Sequence, residues 1–340
     1  MVDTTKPFDG VLLISFGGPE GMDEIRPFLR NVLRGRRIPE ERVGAVAKHY
    51  ELFGGISPLR SITQKQSNGL EQRLKLEGLE LPVFVGMRNW HPFLDDTFRD
   101  MANLGIQRVF AIILAAHHSY SSCGQYRRNV VDAQNHLPSG KGAEIELIYA
   151  PSWHTHPSFI GANVEQIKKA RQGLPQEYRL ESTLIFTAHS VPLSMANECR
   201  YETELQESAR AIAQRLGSED WALVYQSRSG RPSDPWLEPD ICEFLKNRRN
   251  QGLRAAVLCP LGFVADHIEV LYDLDYEAKN VSQELGIVMA RASAVNDHSE
   301  FLGMLVDLTQ RAYSNGLRSR SLPIISRAIP KQAEGPPLER

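Results

Sequence analysis

The chain has 340 residues, enough for about two domains, and its 42% hydrophobic content is ample for a packed core, which excludes an intrinsically disordered chain. A formal net charge of -2 excludes the strongly basic surface that draws proteins to nucleic acid. Four cysteines are scattered without a C-x-x-C pair, so we expect reduced thiols in a cytoplasmic protein rather than a disulfide framework. We see no signal pattern and no run approaching the ~18 apolar residues of a membrane span, so no transmembrane segment is expected.

Apolar, β-rich runs alternate with helical patterns along the chain. The runs that predict strands are residues 10–16, 82–88, 108–115, 144–149, 182–187, 221–226, 254–259 and 286–292. Such alternation predicts an α/β fold in which helices cover both faces of parallel sheets. The second half begins like the first, so we expect a distant duplication, with α/β domains over residues 8–150 and 151–313 and a ligand cleft between them. The Arg-, Ser- and Pro-rich end of the chain predicts a disordered tail over residues 325–340.

A row of acidic residues follows the seventh predicted strand. Glu269, Asp273 and Glu277 lie four residues apart, so a helix places their carboxylates on one face. Like charges at this spacing repel, and a solvated acidic face is the simplest interpretation. The row begins, however, at the carboxyl end of a predicted strand, where α/β proteins place their sites, so a path for a cation is the competing hypothesis. Asp266 and His267, one turn earlier, are interpreted as helix-start residues.

His189 follows the strand predicted over residues 182–187 and should project from the carboxyl edge of its sheet. A neutral imidazole can accept a proton near pH 7 or bind a divalent metal, whereas the simpler alternative is a histidine that bonds a loop backbone. Because His189 and Glu269 each follow a strand of the same half, they can face one another across one cleft. A base opposite a row of carboxylates is suited to handling a metal ion and protons together.

Two other patterns carry less weight. The glycines of residues 17–21 lack the G-x-G-x-x-G spacing of a dinucleotide fold, and no P-loop sequence occurs, so no nucleotide cofactor is expected. His154 and His156 stand in the stretch between the two predicted domains, and we interpret both as surface residues.

Five segments in a fixed order are together highly specific. They are residues 13–19 (LISFGGP), 54–59 (GGISPL), 187–192 (TAHSVP), 234–240 (DPWLEPD) and 262–277 (GFVADHIEVLYDLDYE). With them the chain resembles the ferrochelatases, enzymes that insert ferrous iron into a porphyrin, from about residue 11 to residue 308. The resemblance implies two doubly wound, Rossmann-like domains of the chelatase fold with the porphyrin in the cleft between them. It also implies Fe²⁺ as a substrate and a reaction that does not use ATP.

The resemblance assigns roles to individual residues. His189 and Glu269 match the facing pair of the family that binds iron and removes the pyrrole protons, and which of the two does which stays open. Asp273 and Glu277 match the carboxylates that pass metal inward. The implied porphyrin-binding residues are Arg34, His49, Tyr50, Ser57, Tyr126 and Glu20.

Residues 115–126 (AAHHSYSSCGQY) look like the branch of the family that metallates coproporphyrin III, whose four propionates need polar and cationic partners. Glu20 stands where some members have a tyrosine that is proposed as an axial iron ligand, so that ligand does not carry over. Cys123 stands where another part of the family has one ligand of an iron–sulfur cluster. No cysteine follows Cys259, where the other ligands would cluster, so no cluster is expected.

Two alternatives stay open at this point. One is a ferrochelatase that acts on protoporphyrin IX and makes protoheme. The other, from a different class, is a non-catalytic carrier of a tetrapyrrole or metal, which would need the cleft but not the pair of His189 and Glu269. The expected partners are a porphyrin, an iron donor and the next enzyme of heme biosynthesis, without nucleic acid.

Overall fold

The structure of the chain is a computed structural model. It describes residues 6–34, 40–119, 124–138, 141–229 and 233–319. The tail predicted over residues 325–340 lies outside the described residues. Two four-stranded sheets form the frame of the protein, and their strands pair in parallel. The first sheet consists of β1 (Gly10–Ser15), β2 (Val83–Met87), β3 (Arg108–Ile113) and β4 (Glu146–Tyr149). The second consists of β5 (Thr183–His189), β6 (Trp221–Gln226), β7 (Ala255–Cys259) and β8 (Val288–Arg291).

The two sheets have the same strand order. The first runs β2-β1-β3-β4 and the second runs β6-β5-β7-β8, so the first strand of each half is second in its sheet. This repeated order is what a duplication predicts, and it confirms the α/β fold with two parallel sheets. Since all strands of a sheet point one way, their carboxyl ends meet at a single edge, where open α/β sheets bind ligands.

Helices connect the strands. They are α1 (Ile25–Val32), α2 (Glu40–Glu51), α3 (Leu59–Leu76), α4 (Leu94–Asn103), α5 (Gln125–Asn135), α6 (Pro157–Gln172), α7 (Leu193–Asn197), α8 (Tyr201–Leu216), α9 (Ile241–Asn250), α10 (Ile268–Val270), α11 (Lys279–Glu284) and α12 (Ser299–Ser319). A π-helix (Leu271–Ala278) connects α10 to α11. Within the described ranges, no helix has the length and apolar content needed to cross a bilayer.

Other parts of the protein pack on both faces of each sheet. The strands are therefore buried on both sides, which explains why their sequences are nearly continuous apolar runs. Along β1, Val11 and Leu13 belong to one buried cluster, whereas Leu12 and Ile14 belong to another. Successive side chains of a strand point to opposite faces, so the two clusters lie on the two sides of the sheet. The strand β7 alternates in the same way between two buried clusters.

The last helix packs against both halves of the chain. Phe301 of α12 is fully buried in a cluster that also contains residues of both sheets. A side chain on Gly69 of α3 would lie 2.7 Å from Leu302, so glycine permits this close helix contact. Near the other end of α12, the ring of Tyr313 packs edge-on against Phe8 at 5.2 Å. Helix α12 of the second predicted domain thus closes the core of the first, while the predicted boundary at residue 150 stays a prediction.

We expect Phe301→Ala to lower the free energy of unfolding by about 3–5 kcal/mol, because it leaves a cavity in the shared core. Leu317→Ala is the matched control, since Leu317 lies on the same helix and is 48% exposed. The control should change stability by no more than about 0.5 kcal/mol. Urea unfolding measures both, and similar values for the two variants would contradict the role given to α12.

Candidate active site

His189 and Glu269 face each other at the carboxyl edge of the second sheet. His189 is the last residue of β5, and Glu269 lies in α10, which follows β7 after a loop. The Nε2 atom of His189 lies 3.9 Å from Oε2 of Glu269, and the two side chains are 34% and 37% exposed. That distance is too long for a hydrogen bond, but one cation with bonds of about 2.1 Å can contact both atoms.

Hydrogen bonds orient the His189 ring. Its Nδ1 atom lies 2.5 Å from the carbonyl oxygen of Ser190. Because a carbonyl only accepts, Nδ1 carries the proton of the neutral ring, and the lone pair of Nε2 is directed to Glu269. The hydroxyl of Tyr201 in α8 donates to the backbone carbonyl of His189 at 3.1 Å. In the neutral ring, Nε2 is therefore the nitrogen without a proton, and it faces the carboxylate opposite.

Glu269 begins a helix whose geometry soon changes. The Nδ1 atom of His267 accepts a hydrogen bond from the backbone N–H of Glu269 at 3.2 Å, so His267 is a helix-start residue as predicted. From Leu271 to Ala278 the chain forms a π-helix, with hydrogen bonds between residues five apart, and not the expected α-helix. The wider turn keeps residues four apart nearly in line, so Asp273 and Glu277 still continue the row.

Asp273 is the buried member of this row. It is 8% exposed and accepts hydrogen bonds from Nε2 of Gln226 at 3.1 Å and from the hydroxyl of Ser227. Burial raises the pKa of Asp273 to about 7, the charges of Glu269 and Glu277 add to the rise, and the two hydrogen bonds oppose it. Near neutral pH this carboxyl can therefore exist in either charge state.

The outer end of the row meets an aromatic stack that joins the two halves. Glu277 is exposed, and Tyr272 of the π-helix hydrogen-bonds to it. The ring of Tyr272 stacks on His49 of α2, with centroids 3.5 Å apart and planes within 6°. Burial lowers the pKa of His49, and the charge of Glu269 opposes this shift. The row thus runs from solvent at Glu277 to the pair at Glu269, with the first half of the chain alongside.

Arg291 at the end of β8 anchors the π-helix. Its Nε and Nη2 atoms bond the two carboxylate oxygens of Asp275 at 2.7 and 2.8 Å, a geometry that is both strong and directional. Its Nη1 atom bonds Asp266 at 2.8 Å, and Asn296 donates to the same carboxylate at 2.8 Å. Asp266 is therefore not the helix-start residue that we expected: it is a nearly buried partner of Arg291.

Two tyrosines of the first half lie within the electrostatic reach of Glu269. Tyr50 is buried on α2 against Phe28, and Tyr126 is buried on α5 with the guanidinium of Arg88 5.6 Å from its ring. Burial raises the pKa of Tyr50 well above its usual value and that of Tyr126 to about 12. The charge of Glu269 adds to both shifts, and Arg88 opposes the shift of Tyr126. Both phenols therefore keep their protons at neutral pH.

The remaining predicted porphyrin-binding residues contact the protein itself. Ser57 is buried, and its hydroxyl accepts a backbone N–H at the start of α3 at 3.5 Å. Glu20 forms an ion pair with Arg60. Arg34 is exposed just after α1 and donates to the side chain of Asn31 at 3.0 Å. A role for these three in binding a porphyrin stays a prediction.

His154 is not the surface residue that the sequence led us to expect. It is 7% exposed, and its Nε2 atom lies 2.6 Å from a carboxylate oxygen of Glu207 in α8. His156 is partly buried and pairs with Asp307 of α12 at 2.9 Å. Both carboxylates come from distant parts of the chain, which is why the sequence did not reveal them.

Within the described ranges, no three His, Cys, Asp or Glu side chains lie close enough to enclose a metal ion. Cys123 lies outside the described residues.

A comparison with family models decides the family. The model described as ferrochelatase matches residues 8–313. The chain belongs to the ferrochelatase family. Ferrous iron and a porphyrin are the substrates that this membership implies.

Relatives across this family cover most of the chain. A ferrochelatase of Rhodopirellula baltica is 44% identical over 305 residues, which are 89% of this chain and 86% of that protein. A coproporphyrin III ferrochelatase of Mycolicibacterium smegmatis is 42% identical over 304 residues, 88% of each chain. Another, of Streptomyces coelicolor, is 42% identical over 319 residues, 89% of this chain and 85% of that one.

Solved structures of more distant chelatases share the fold. The sirohydrochlorin chelatase SirB of Bacillus subtilis in complex with cobalt has a TM-score of 0.54 at 8% identity, covering 90% of this chain and 95% of SirB. SirB with Fe³⁺ has a TM-score of 0.56 at 9% identity, covering 90% and 96%. At this level of identity the likeness concerns the fold alone, and it supports the two-domain chelatase architecture.

Sequence reasoning missed three residues beside the row. Gln226 and Ser227 hold Asp273, and Tyr272 connects Glu277 to the first half of the chain. Gln226 ends β6 as His189 ends β5, and Ser227 follows it directly, so the rule that found His189 would have found them too. Tyr272 gave no comparable signal, because an aromatic residue within a helix usually serves the core.

The raised pKa of Asp273 predicts a pH dependence of stability. A carboxyl whose pKa is higher in the folded state favours folding at low pH, and this contribution is lost as the pH rises towards 7. Asp273→Asn should therefore be more stable relative to the native protein at pH 8 than at pH 5.5, by about 2 kcal/mol. Asp96→Asn, a change of an exposed carboxyl, is the control and should show no such trend. Urea unfolding at the two pH values checks this, and a gain for Asp273→Asn that does not depend on pH would contradict it.

Proposed function

We propose that this ferrochelatase inserts ferrous iron into coproporphyrin III, without ATP, and releases the iron complex coproheme. The observation that carries the proposal is the pair of His189 and Glu269, 3.9 Å apart, at one end of a carboxylate row whose other end is exposed at Glu277. A carrier needs a cleft, but it does not need a base opposite a carboxylate at the end of such a row.

The reaction sets two requirements that this arrangement meets. One Fe²⁺ replaces two pyrrole protons, so the site must accept two protons and release the waters of the hydrated ion. In its neutral form His189 accepts one proton at Nε2, and the carboxylate of Glu269 accepts the other once the ion has passed from it to the pyrrole nitrogens. The oxygens of Glu277 and Asp273 replace the waters of the ion in steps as it moves inward.

Coproporphyrin III is the substrate that two further observations favour. The relatives from Mycolicibacterium smegmatis and Streptomyces coelicolor are named coproporphyrin III ferrochelatases. In addition, the side of the site formed by the first half carries His49, Tyr50 and Tyr126, polar side chains that suit a substrate with four propionates. We also propose that Ser57, Arg34 and Glu20 complete this wall at the rim.

We further propose a cytoplasmic location, since four cysteines without a C-x-x-C pair suit a reducing compartment. An iron donor and the next enzyme of heme biosynthesis are the partners that such a reaction needs. We also expect the enzyme to work without an iron–sulfur cluster or a nucleotide.

An anaerobic insertion assay tests the proposed substrate. The purified protein is mixed with ferrous salt and either coproporphyrin III or protoporphyrin IX, and the absorption of the free base is followed. We expect the spectrum of coproporphyrin III to convert much faster than that of protoporphyrin IX. Faster conversion of protoporphyrin IX would transfer the proposal to that substrate, and binding of either porphyrin without conversion would favour a carrier.

His189→Ala should lower kcat about 10²–10⁴-fold, because the variant lacks the nitrogen that accepts a pyrrole proton. His136→Ala is the matched control, since His136 is exposed on the first half and pairs only with Asp95 among the described residues. Circular dichroism should show the native fold for both variants. A rate for His189→Ala close to that of the control would rule out its proposed role.

A further inference from the structure

Gln226 lies beside the carboxylate row. It is the last residue of β6 and pairs in register with His189 of β5, so the two side chains project from the same face of the sheet. Its side chain is 1% exposed, and its Nε2 atom donates to Asp273 at 3.1 Å. The amide nitrogen thus faces Asp273, and the carbonyl oxygen Oε1 of the same side chain points away from that contact.

The Oε1 atom of Gln226 is buried and has no hydrogen-bond partner among the described residues. A buried acceptor without a partner destabilises the folded chain, so its presence calls for a reason. The next residue, Ser227, has a φ of +61°, a conformation that non-glycine residues rarely adopt, while its hydroxyl bonds Asp273. The unpaired oxygen of Gln226 and the strained backbone of Ser227 thus lie in neighbouring residues, and both residues bond Asp273.

We propose that Oε1 of Gln226 is a further ligand of the entering ferrous ion, between Asp273 and the pair of His189 and Glu269. This inference rests on the proposed function and adds a metal-binding residue to it. Amide oxygens are suitable ligands for hard divalent ions. A neutral oxygen also attracts a cation less strongly than another carboxylate would, which favours a site that the ion must leave again. The unpaired oxygen gains its partner when the ion arrives.

The competing interpretation is that Gln226 only holds Asp273 in place through its amide N–H. Two substitutions separate these possibilities. Gln226→Leu removes both the oxygen and the N–H at a similar volume, whereas Gln226→Glu keeps an oxygen and removes the N–H. A residue that contacts the metal tolerates the glutamate, and a residue that only positions Asp273 does not.

The experiment is a titration of the full chain with Co²⁺, without porphyrin, followed by visible absorption. The signal of interest is the part that is lost in Glu269→Gln. We expect Gln226→Leu to weaken cobalt binding about tenfold, and Gln226→Glu to bind at least as tightly as the native protein. Native affinity in Gln226→Leu would overturn the inference, and so would equal weakening in both variants.

Gln66→Leu is the matched control. Gln66 of α3 is also fully buried, its Oε1 also has no partner within the described ranges, and its Nε2 donates to a backbone carbonyl at 2.7 Å. The same chemical change there should leave cobalt affinity unaltered. A similar loss in Gln66→Leu would attribute the effect to general destabilisation and would overturn the inference.

Kinetics separate this inference from the proposed function. In the anaerobic assay, Gln226→Leu should raise KM for iron about tenfold and leave KM for the porphyrin unchanged. If the native protein inserts iron and the variant keeps its KM for iron, only the role of Gln226 fails. If the native protein inserts no iron, the proposed function fails, and the cobalt titration still decides whether Gln226 binds a metal.

Discussion

Parallel pairing around β5 is the constraint on which the site depends. This strand lies between β6 and β7, with His189 opposite Gln226 and Phe186 opposite Cys259. Because the three strands end at one edge, a base, a buried amide and the loop leading to Glu269 arrive together from distant parts of the chain. A slip of one residue in this pairing would turn His189 to the other face of the sheet.

Much of this arrangement can be predicted from the sequence, because burial leaves a strong pattern. Strands such as β1 and β7 lie between two layers of helices, so nearly every residue in them is apolar. The position of His189 directly after such a run was enough to predict its place at the edge. The facing of His189 and Glu269 followed from the same rule, and the structure brings the two side chains together. The family model then confirmed the family that the motifs had indicated.

The features that could not be predicted depend on partners far away in the sequence. The π-helix is fixed to the sheet by Arg291, whose two bonds to Asp275 form only once β8 is in place. Asp266 looked like a residue at the start of a helix, but the fold supplies Arg291 to it instead. His154 looked exposed until α8 brought Glu207 next to it. In each case the local sequence pattern was not decisive, because the residue contacts a partner that comes near it only in the folded chain.

The packing of α12 has a consequence for how the protein is made. Phe301 shares a buried cluster with Val11 and Leu13 of the first strand and with Leu70 of α3. A ribosome delivers the chain from its amino terminus, so the first half is complete long before Phe301 leaves the exit tunnel. Throughout that interval the apolar surface that α12 later covers stays open to water and to other nascent chains. The first half therefore keeps an exposed apolar surface until α12 packs against it.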